Sequence, residues 1–196
     1  MSAFTFLPLG AIIQEFKING RNIVQGFQTA EQYKKYNGPY FGETIGRIAN
    51  RVSGAKIELN GKSYQLPVNN GPNSLHGGDS GWGKKEFEGP IQVQRNGKDA
   101  VLFKYTSKDG EEGYPGTVDV KVWYMAEKKQ EDGVEKEILT IEYEAELIGD
   151  EVEETAVGMT NHRCVRSKGG AVSHTMTNPP FLQLLHPQRC PYHRRY

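Results

Sequence analysis

The amino-acid sequence predicts an all-β fold, an antiparallel β-sandwich, on the basis of three observations. Asn-Gly pairs stand at 19–20, 60–61 and 96–97, each between two runs rich in strand-forming residues. Asn and Gly tolerate the positive φ that a type I′ turn requires, so each pair indicates a β-hairpin. Further along the chain, apolar and polar residues alternate with a period of two, and no segment has a convincing amphipathic helical pattern.

The individual elements follow from these signals in chain order. The predicted hairpin strands pair 11–18 with 21–27, 56–59 with 62–66, and 91–95 with 98–106. Residues 29–35 are expected to form a short helical turn. The alternating segments 117–125 and 137–147 are predicted to be half-buried antiparallel strands. The polar run 127–137 between them is expected to be a solvated loop.

Charge and composition divide the chain after residue 162. All 24 acidic residues lie in 1–162. The segment 163–196 holds six of the 24 basic residues, so the net charge is −6 before the division and +6 after it. The sequence therefore predicts two unlike segments: a folded domain over 1–162, and an irregular basic tail, rich in Pro and Gly, over 163–196.

The cysteine content favours a cytoplasmic protein. Both cysteines, Cys164 and Cys190, belong to the tail, and a folded domain without cysteine needs no disulfide, which suits a reducing cytosol. The first residues lack a basic segment followed by a long apolar run, so no signal peptide is expected. No stretch of about 18 uninterrupted apolar residues is present, so no transmembrane helix is expected.

The side chains best suited to chemistry fall in short turn-rich segments. Asn50 and Arg51 lie in one of these, His76 in a second and His162 in a third. Arg and Asn donate several fixed hydrogen bonds to groups such as sugar hydroxyls, and His serves as acid or base near neutral pH. Gly77-Gly78 is expected to let backbone and ligand approach closely. These residues alone predict a polar ligand site on a rigid β scaffold.

Four ordered motifs within 1–162 resemble the aldose 1-epimerase (galactose mutarotase) family. They are Gly46-Arg-Ile-Ala-Asn-Arg51, Asn73-Ser-Leu-His-Gly-Gly78, Asp109-Gly-Glu-Glu-Gly-Tyr-Pro-Gly116 and Thr160-Asn-His162. Their order and spacing match the family as well, over roughly residues 5–162, which correspond to the amino-terminal part of such chains. The resemblance implies a large β-sandwich, the galactose mutarotase-like supersandwich, that is incomplete here on its C-terminal side.

The resemblance also implies an activity and a role for each matching residue. Such enzymes are isomerases that interconvert the α and β anomers of free hexoses, of the glucose or galactose type, by acid–base opening and closure of the ring. By motif position, His162 corresponds to the proton donor and His76 to a second catalytic histidine near the ring oxygen. Asn50, Arg51 and His76 correspond to substrate-binding residues. No metal or organic cofactor is implied, and neither nucleic acid nor a membrane is an expected partner.

The chain departs from the family pattern after His162. Cys164 stands where the family has a tyrosine. The later half of such chains supplies a sugar-binding aspartate and the glutamate base, and no residue of this sequence matches either position. Three interpretations stay open: a truncated or misspliced member of the enzyme family, a non-catalytic carbohydrate-binding remnant, and a gene-model product that ends in a shifted reading frame.

Some of these side chains also allow a purely structural interpretation. Arg47 is either a ligand-binding residue or a structural arginine paired with a carboxylate such as Glu43. Trp82 is either a surface for sugar stacking or a loop anchor, and His76 alone would fit a turn histidine bonded to backbone. A zinc site in the tail is disfavoured because no paired Cys-x-x-Cys accompanies the candidate ligands. These candidates are Cys164, His174, His186, Cys190 and His193.

Overall fold

A computed structural model describes residues 4–166, 172–174, 183–185 and 192–195. These residues form antiparallel strands, one α-helix, α1 (Ala30–Tyr36), and 3₁₀ turns at Ser53–Ala55, Trp82–Lys84 and Glu111–Gly113. The strands are β1 (Phe4–Leu7), β2 (Ile12–Ile18), β3 (Arg21–Asn22), β4 (Thr44–Ile45), β5 (Lys56–Leu59), β6 (Lys62–Gln65), β7 (Glu88–Arg95), β8 (Lys98–Ser107), β9 (Thr117–Glu131), β10 (Val134–Ile148), β11 (Thr155–Val157), β12 (Thr160–Asn161), β13 (Cys164–Arg166), β14 (Val172–His174), β15 (Gln183–Leu185) and β16 (Tyr192–Arg195). The predicted all-β, antiparallel class is confirmed. No helix in the described residues is long and apolar enough to cross a membrane.

The core lies on one face of the largest sheet, an antiparallel array in the order β16–β10–β9–β8–β7. Alternate residues of its strands point to this face, so Phe103, Val122 and Tyr143 are each 0% exposed. Phe4 of β1 and Phe16 of β2 belong to the same apolar cluster. The β1–β2 hairpin therefore covers this face of the sheet, which is the layered packing that a sandwich requires.

The three Asn-Gly hairpins are confirmed. The pairs at 19–20, 60–61 and 96–97 join β2 to β3, β5 to β6 and β7 to β8, and all six residues have positive φ. The first hairpin is shorter than predicted because the Asn22 side chain interrupts it. Its Oδ1 accepts the N–H groups of Phe16 and Val24, at 3.0 and 3.1 Å, in place of a further ladder bond.

The solvated loop predicted over 127–137 is wrong. β9 and β10 continue through this segment as a paired ribbon, and its turn is only Asp132-Gly133, both at positive φ. An ion pair across the ribbon joins Lys128 to Glu135 at 2.9 Å. Because a ribbon exposed on both faces buries little apolar area, its composition resembles that of a loop. The Asp-Gly pair is the hairpin signal in this segment.

The helical turn predicted over 29–35 is confirmed as α1. The Thr29 hydroxyl accepts the Gln32 N–H at 3.3 Å, and the Gln32 side chain accepts the Thr29 N–H at 3.3 Å. This reciprocal pair is a capping box, which satisfies donors that a helix start leaves free. Tyr33 is the buried side chain of α1, at 2% exposure. The helix leads directly into the loop 37–43, which passes beside the candidate site.

The described parts of 163–196 are short strands. β13 pairs with β14, β15 lies beside β11, and β16 lies at the edge of the main sheet beside β10. An irregular backbone was expected for the tail. In the described residues of this segment, the backbone groups instead pair with neighbouring strands. The division of the chain after residue 162 stays a prediction.

Candidate functional site

Two histidine rings and a tyrosine ring meet on the surface of the molecule. The ring centroids of His76 and His162 are 5.2 Å apart, with an interplanar angle of 86°. The Tyr40 ring lies edge-on to His76 at 4.6 Å, and its centroid is 6.0 Å from that of His162. All three side chains are half-buried. The fold therefore brings together two histidines that lie far apart in the sequence.

The backbone of His162 is held by the segment that carries the first motif. Its N–H donates to the Glu43 carbonyl at 2.8 Å, and its own carbonyl accepts the Gly42 N–H at 3.0 Å. Asn161 adds a bond from its side-chain Nδ2 to the Gly42 carbonyl, at 2.8 Å. These bonds continue the β4–β12 pairing. The register of that pairing therefore determines where the His162 side chain leaves the backbone.

His76 lies in a tight turn that the Asn69 side chain organises. Asn69 Nδ2 donates to the carbonyls of Leu75 and Gly78, at 3.0 and 2.7 Å, and Oδ1 accepts the Leu75 N–H at 2.8 Å. His76 has a φ of +57°, in the left-handed region. This conformation costs free energy for a residue with a Cβ, so surrounding contacts must hold it. The Asn69 bonds are those contacts.

One tautomer of His76 fits its surroundings. Its Nδ1 lies 2.8 Å from the Ala49 carbonyl oxygen, which also accepts the His76 backbone N–H at 3.2 Å. Because a carbonyl only accepts, Nδ1 carries the hydrogen and Nε2 presents a lone pair. Burial, with smaller contributions from His162, Arg51 and Lys84, lowers the pKa of His76 to about 4. At neutral pH His76 is therefore an uncharged ring with an acceptor at Nε2.

Asn50 and Arg51 lie beside the residue that anchors His76. Both are exposed, and the Asn50 side chain accepts the Arg51 backbone N–H at 2.8 Å. Arg51 Nε donates to the Asn70 side-chain oxygen, also at 2.8 Å. Since the Arg51 charge acts on the pKa of His76, the two side chains are electrostatic neighbours. The four predicted site residues thus occupy one region.

Arg47 is a structural residue, the second of the two interpretations that the sequence left open, but its hydrogen-bond partners do not include Glu43. It is 1% exposed. One terminal nitrogen donates to the Pro115 carbonyl at 2.7 Å and to the Thr155 hydroxyl at 3.2 Å. The other donates to the Ser107 hydroxyl at 2.7 Å. Burial lowers the pKa of Arg47 to about 10, so it stays charged at neutral pH and ties the first motif to the third.

An ion pair beside the histidines was not predicted from the sequence. Lys84 Nζ lies 2.6 Å from Glu43 Oε1, which also accepts from Asn37 Nδ2 at 2.7 Å. Lys84 donates to the Asn37 carbonyl at 2.8 Å and lies 4.3 Å from the centre of the Tyr40 ring. Burial raises the pKa of the Glu43 carboxyl to about 7, although Lys84 and Asn37 favour its ionised form. The signal in the sequence is that Glu43 is the one charged residue in 36–46.

The motif glycines are packed closely against other parts of the chain, and the approach of a ligand to Gly77-Gly78 stays a prediction. A Cβ on Gly77 would overlap the Gly46 carbonyl oxygen, and one on Gly78 would overlap the Glu112 carboxylate. A Cβ on Gly46 would overlap the Trp82 ring. Trp82 is 1% exposed, so it is a loop anchor and does not stack on a sugar.

The zinc candidates of the tail fall largely outside the described residues. His186 and Cys190 are not among them, and the side chains of His174 and His193 are not described either. Cys164 is buried and forms no disulfide with any residue that the structure describes. Among the side chains that are described, no group of three or more His, Cys, Asp and Glu is placed to hold a metal ion.

The chain matches one family model over residues 2–173, that of aldose 1-epimerase. This match covers most of the sequence and contains all four motifs. The chain belongs to the aldose 1-epimerase family. The match also continues past residue 162, into the segment predicted to be unlike the family.

Curated relatives in this family are considerably longer than the chain. Galactose mutarotase of Bos taurus is 41% identical over 141 residues, which cover 72% of this chain and 36% of the relative. The bifunctional protein GAL10 of Pachysolen tannophilus is 42% identical over 158 residues, covering 78% of this chain and 22% of that protein. The chain thus spans about a third or less of the length of these relatives.

Solved structures of aldose epimerases share the fold. The GalM/aldose epimerase homologue from C. elegans superimposes with a TM-score of 0.68 at 29% identity, covering 85% of this chain and 48% of that one. For galactose 1-epimerase from Lactobacillus acidophilus NCFM the TM-score is 0.67 at 24% identity, over 83% and 45% of the two chains. The second likeness bears on the fold alone. Together they confirm the galactose mutarotase-like architecture.

Proposed function

We propose that this chain binds free hexoses of the glucose or galactose type at the His76–His162 site, in the cytoplasm, and takes part in the interconversion of their α and β anomers. The observation that carries the proposal is the meeting of the two motif histidines beside Asn50 and Arg51. Within the aldose 1-epimerase family, an isomerase activity is the function that such a site supports best.

The reaction requires only proton transfers at two neighbouring oxygens. A base takes the proton of the anomeric hydroxyl while an acid protonates the ring oxygen, and the bond between C1 and the ring oxygen breaks. Rotation about the C1–C2 bond and the reverse transfers close the ring as the other anomer. Proton transfers by an acid and a base suffice for these steps, so the mechanism implies no metal or organic cofactor.

The two histidines have different roles in this mechanism. His162 is the acid that protonates the ring oxygen. His76 is uncharged at neutral pH, and its Nδ1–H is engaged by the Ala49 carbonyl. Its Nε2 therefore accepts a hydrogen bond from a sugar hydroxyl and helps to orient the ring beside His162. Arg51 and Asn50 add donors to the sugar oxygens.

No residue of this chain matches the family position of the base in this mechanism. The family resemblance assigns it to a glutamate in the later half of such chains, and this chain spans 36% of bovine galactose mutarotase. Glu43 bonds to His162 through its backbone, but its carboxylate is 1% exposed and paired with Lys84. Such a buried group is unsuited to reach an anomeric hydroxyl. Hexose binding without turnover is therefore the second candidate function.

Polarimetry of freshly dissolved α-galactose and α-glucose separates the two candidates. Acceleration of mutarotation above buffer, abolished in His162→Gln, supports the isomerase. A hexose-dependent rise in Tm without acceleration, lost in Arg51→Met, supports binding alone. Methyl α-galactoside is the control ligand that reports on binding alone, because it has no free anomeric hydroxyl and cannot turn over. If neither acceleration nor a hexose-dependent Tm is found, both candidates are wrong.

A further inference from the structure

We propose that the Lys84–Glu43 ion pair is a positioning device, which holds the Tyr40 ring against His76 and His162 and so orients both imidazoles toward the sugar. The proposal rests on the proposed function, because it assigns a role at the same site to residues that the family motifs do not include. It concerns three side chains that lie next to the histidines in space.

Lys84 is the centre of this arrangement. Its ammonium group has three partners of different kinds: the Glu43 carboxylate at 2.6 Å, the Asn37 carbonyl at 2.8 Å, and the face of the Tyr40 ring, 4.3 Å from the centroid. A cation within about 6 Å of an aromatic centroid is attracted to the ring. The contacts with Glu43 and Asn37 thus fix the position of the ammonium group, and the ammonium group in turn holds the Tyr40 ring in place.

Glu43 is more deeply buried than the carboxylate of an ordinary surface ion pair. It is 1% exposed, and its Oε2 atom is buried with no hydrogen-bond partner in the described residues. Gly83 leaves the space that this carboxylate occupies, because a Cβ there would overlap Oε2. Burying an ion pair gives little net stability compared with apolar residues of the same volume. A contribution to geometry therefore explains the pair better than a contribution to stability.

Tyr40 needs support from its neighbours because its backbone conformation is unfavourable. It has a φ of +60°, in the left-handed region that side chains with a Cβ rarely adopt. The loop around it is closed by Asn37, whose side chain accepts the Phe41 N–H at 2.8 Å and donates to the Phe41 carbonyl at 3.2 Å. The ring itself is edge-on to His76 at 4.6 Å. Moving the ring would therefore alter the packing of the imidazole.

The pKa of His76 distinguishes a positioning role of the Lys84–Glu43 pair from a role in packing alone. His76 is faced by the Tyr40 ring and by three groups that are charged or can be, namely His162, Arg51 and Lys84, each of which lowers its pKa. Removing the Lys84 charge should therefore raise the pKa of His76. Removing the Glu43 charge, while Lys84 keeps its own, should not raise it, although both changes release Tyr40. A general loss of packing would change the pKa of His76 in the same direction in both variants.

The experiment measures the imidazole resonances of His76 and His162 by NMR in the full chain, with galactose and glucose as probes. Lys84→Met should raise the pKa of His76 and shift both imidazole resonances through the displaced Tyr40 ring. It should also weaken hexose binding about tenfold, the size expected when a misoriented imidazole loses a hydrogen bond to the sugar. Glu43→Gln should shift the resonances without raising that pKa. Lys84→Arg should restore most of the wild-type behaviour because it returns the cation.

A double-mutant cycle tests whether Lys84 acts through Tyr40. Tyr40→Leu should weaken binding about as much as Lys84→Met does, and the double variant should be little worse than either single one. Additive losses would overturn the proposal. Lys121→Met is the matched control: its ion pair with Glu144, at 2.7 Å, is also partly buried but lies on β9 and β10 of the sheet. It should leave both imidazoles and hexose binding unchanged.

Failure of this proposal can be told apart from failure of the proposed function. If neither galactose nor glucose shifts the imidazole resonances of the wild type, the proposed sugar site is wrong. The imidazole resonances of Lys84→Met, compared with those of the wild type without sugar, still test the positioning role. If the wild type binds hexose, but Lys84→Met leaves the His76 pKa, the two imidazole resonances and the affinity unchanged, the positioning role is wrong. The dispersion of the amide spectrum verifies in each variant that the chain is folded.

Discussion

The main sheet and the loops around the two histidines are stabilised in different ways. In the sheet, side chains such as Phe103 and Val122 are fully buried, and backbone groups pair in regular ladders. In the loops, much of the bonding runs between side chains and backbone, with Asn37 and Asn69 as the main organisers. The sheet is stabilised mainly by apolar area removed from water, and the loops mainly by hydrogen bonds between polar side chains and the backbone.

This difference predicts different responses to substitution. A smaller side chain in the sheet leaves a cavity, which lowers the free energy of unfolding without changing any charge. A polar substitution in the loops leaves a former partner unsatisfied or changes the electrostatics of the histidines. The loops are therefore expected to show effects on pH dependence and binding that the sheet does not.

The largest expected effect is in the sheet. Phe103→Ala should lower the free energy of unfolding by about 3–5 kcal/mol, because Phe103 is 0% exposed and its cavity would be lined by packed rings. Urea unfolding measures this loss. Tyr36→Ala is the control, since Tyr36 is an aromatic residue that is 54% exposed, and it should cost far less. Equal losses would mean that burial in the sheet does not dominate stability.

A comparable loss is expected where the loops join the sheet. Arg47→Met keeps most of the apolar stem but leaves the carbonyl and the hydroxyl of Ser107 without the guanidinium donor, so about 2–3 kcal/mol should be lost in urea unfolding. The Pro115 carbonyl loses one of two donors, because it also accepts from the Thr155 hydroxyl. Arg51→Met makes the same chemical change at an exposed position and should change stability by about 0.5 kcal/mol at most. If the two variants were equally destabilised, the distinction between the structural and the exposed arginine would be wrong.

The pH dependence of stability should have two opposing contributions from the loops. The pKa of Glu43 is raised by burial to about 7 from 4.5, so the folded state keeps a proton that the unfolded state releases. Its contribution to stability therefore falls as pH rises from about 4.5 to 7. The pKa of His76 is lowered by burial to about 4 from 6.5, so its contribution falls as pH drops from about 6.5 to 4.

Each contribution can be removed separately. Relative to the wild type, Glu43→Gln should gain stability as pH rises from about 4.5 to 7, by about 3 kcal/mol at most. His76→Gln should show the opposite trend relative to the wild type, gaining stability as pH falls from about 6.5 to 4. Urea midpoints across this range give the comparison. Parallel curves for all three proteins would contradict both pKa shifts.

The smallest effect is expected at the end of the β9–β10 ribbon. Lys128→Gln removes an ion pair with Glu135 in which both side chains are more than half exposed, at 61% and 53%. Exposed ion pairs are screened by water and salt and contribute little. The urea midpoint and the histidine resonances should both stay within experimental scatter. A measurable shift of those resonances would mean that the ribbon is coupled to the site.

The sheet could be predicted from sequence because its signals are local. Asn96-Gly97 specifies a turn through its own backbone preferences, and the alternation in 117–125 reflects which face is buried. The segment 127–137 was missed because a ribbon in solvent leaves no hydrophobic periodicity to detect. The early end of β3 was missed for another reason, since it depends on a side-chain bond from Asn22 that competes with the ladder.

The candidate site was predicted only in part, because it depends on tertiary contacts. The family motifs were enough to select His76, His162 and Arg51. They left the role of Arg47 open, since the burial of this arginine depends on tertiary contacts with Ser107, Pro115 and Thr155. Nor could they indicate Lys84 as the partner of Glu43, because these two residues meet only when the loop 37–43 packs on the turn at Trp82–Lys84.

The ribbon formed by the far ends of β9 and β10 has a practical consequence. Its tip, Asp132-Gly133, lies beyond the buried part of the sheet and is exposed, as are Glu131 and Glu135 nearby. A fluorescent probe or an affinity peptide grafted between Asp132 and Gly133 would sit on a hydrogen-bonded stalk, with little disturbance of the layers behind it. The tip is therefore a suitable place to immobilise the protein, or to attach an optical reporter for testing the proposed sugar binding.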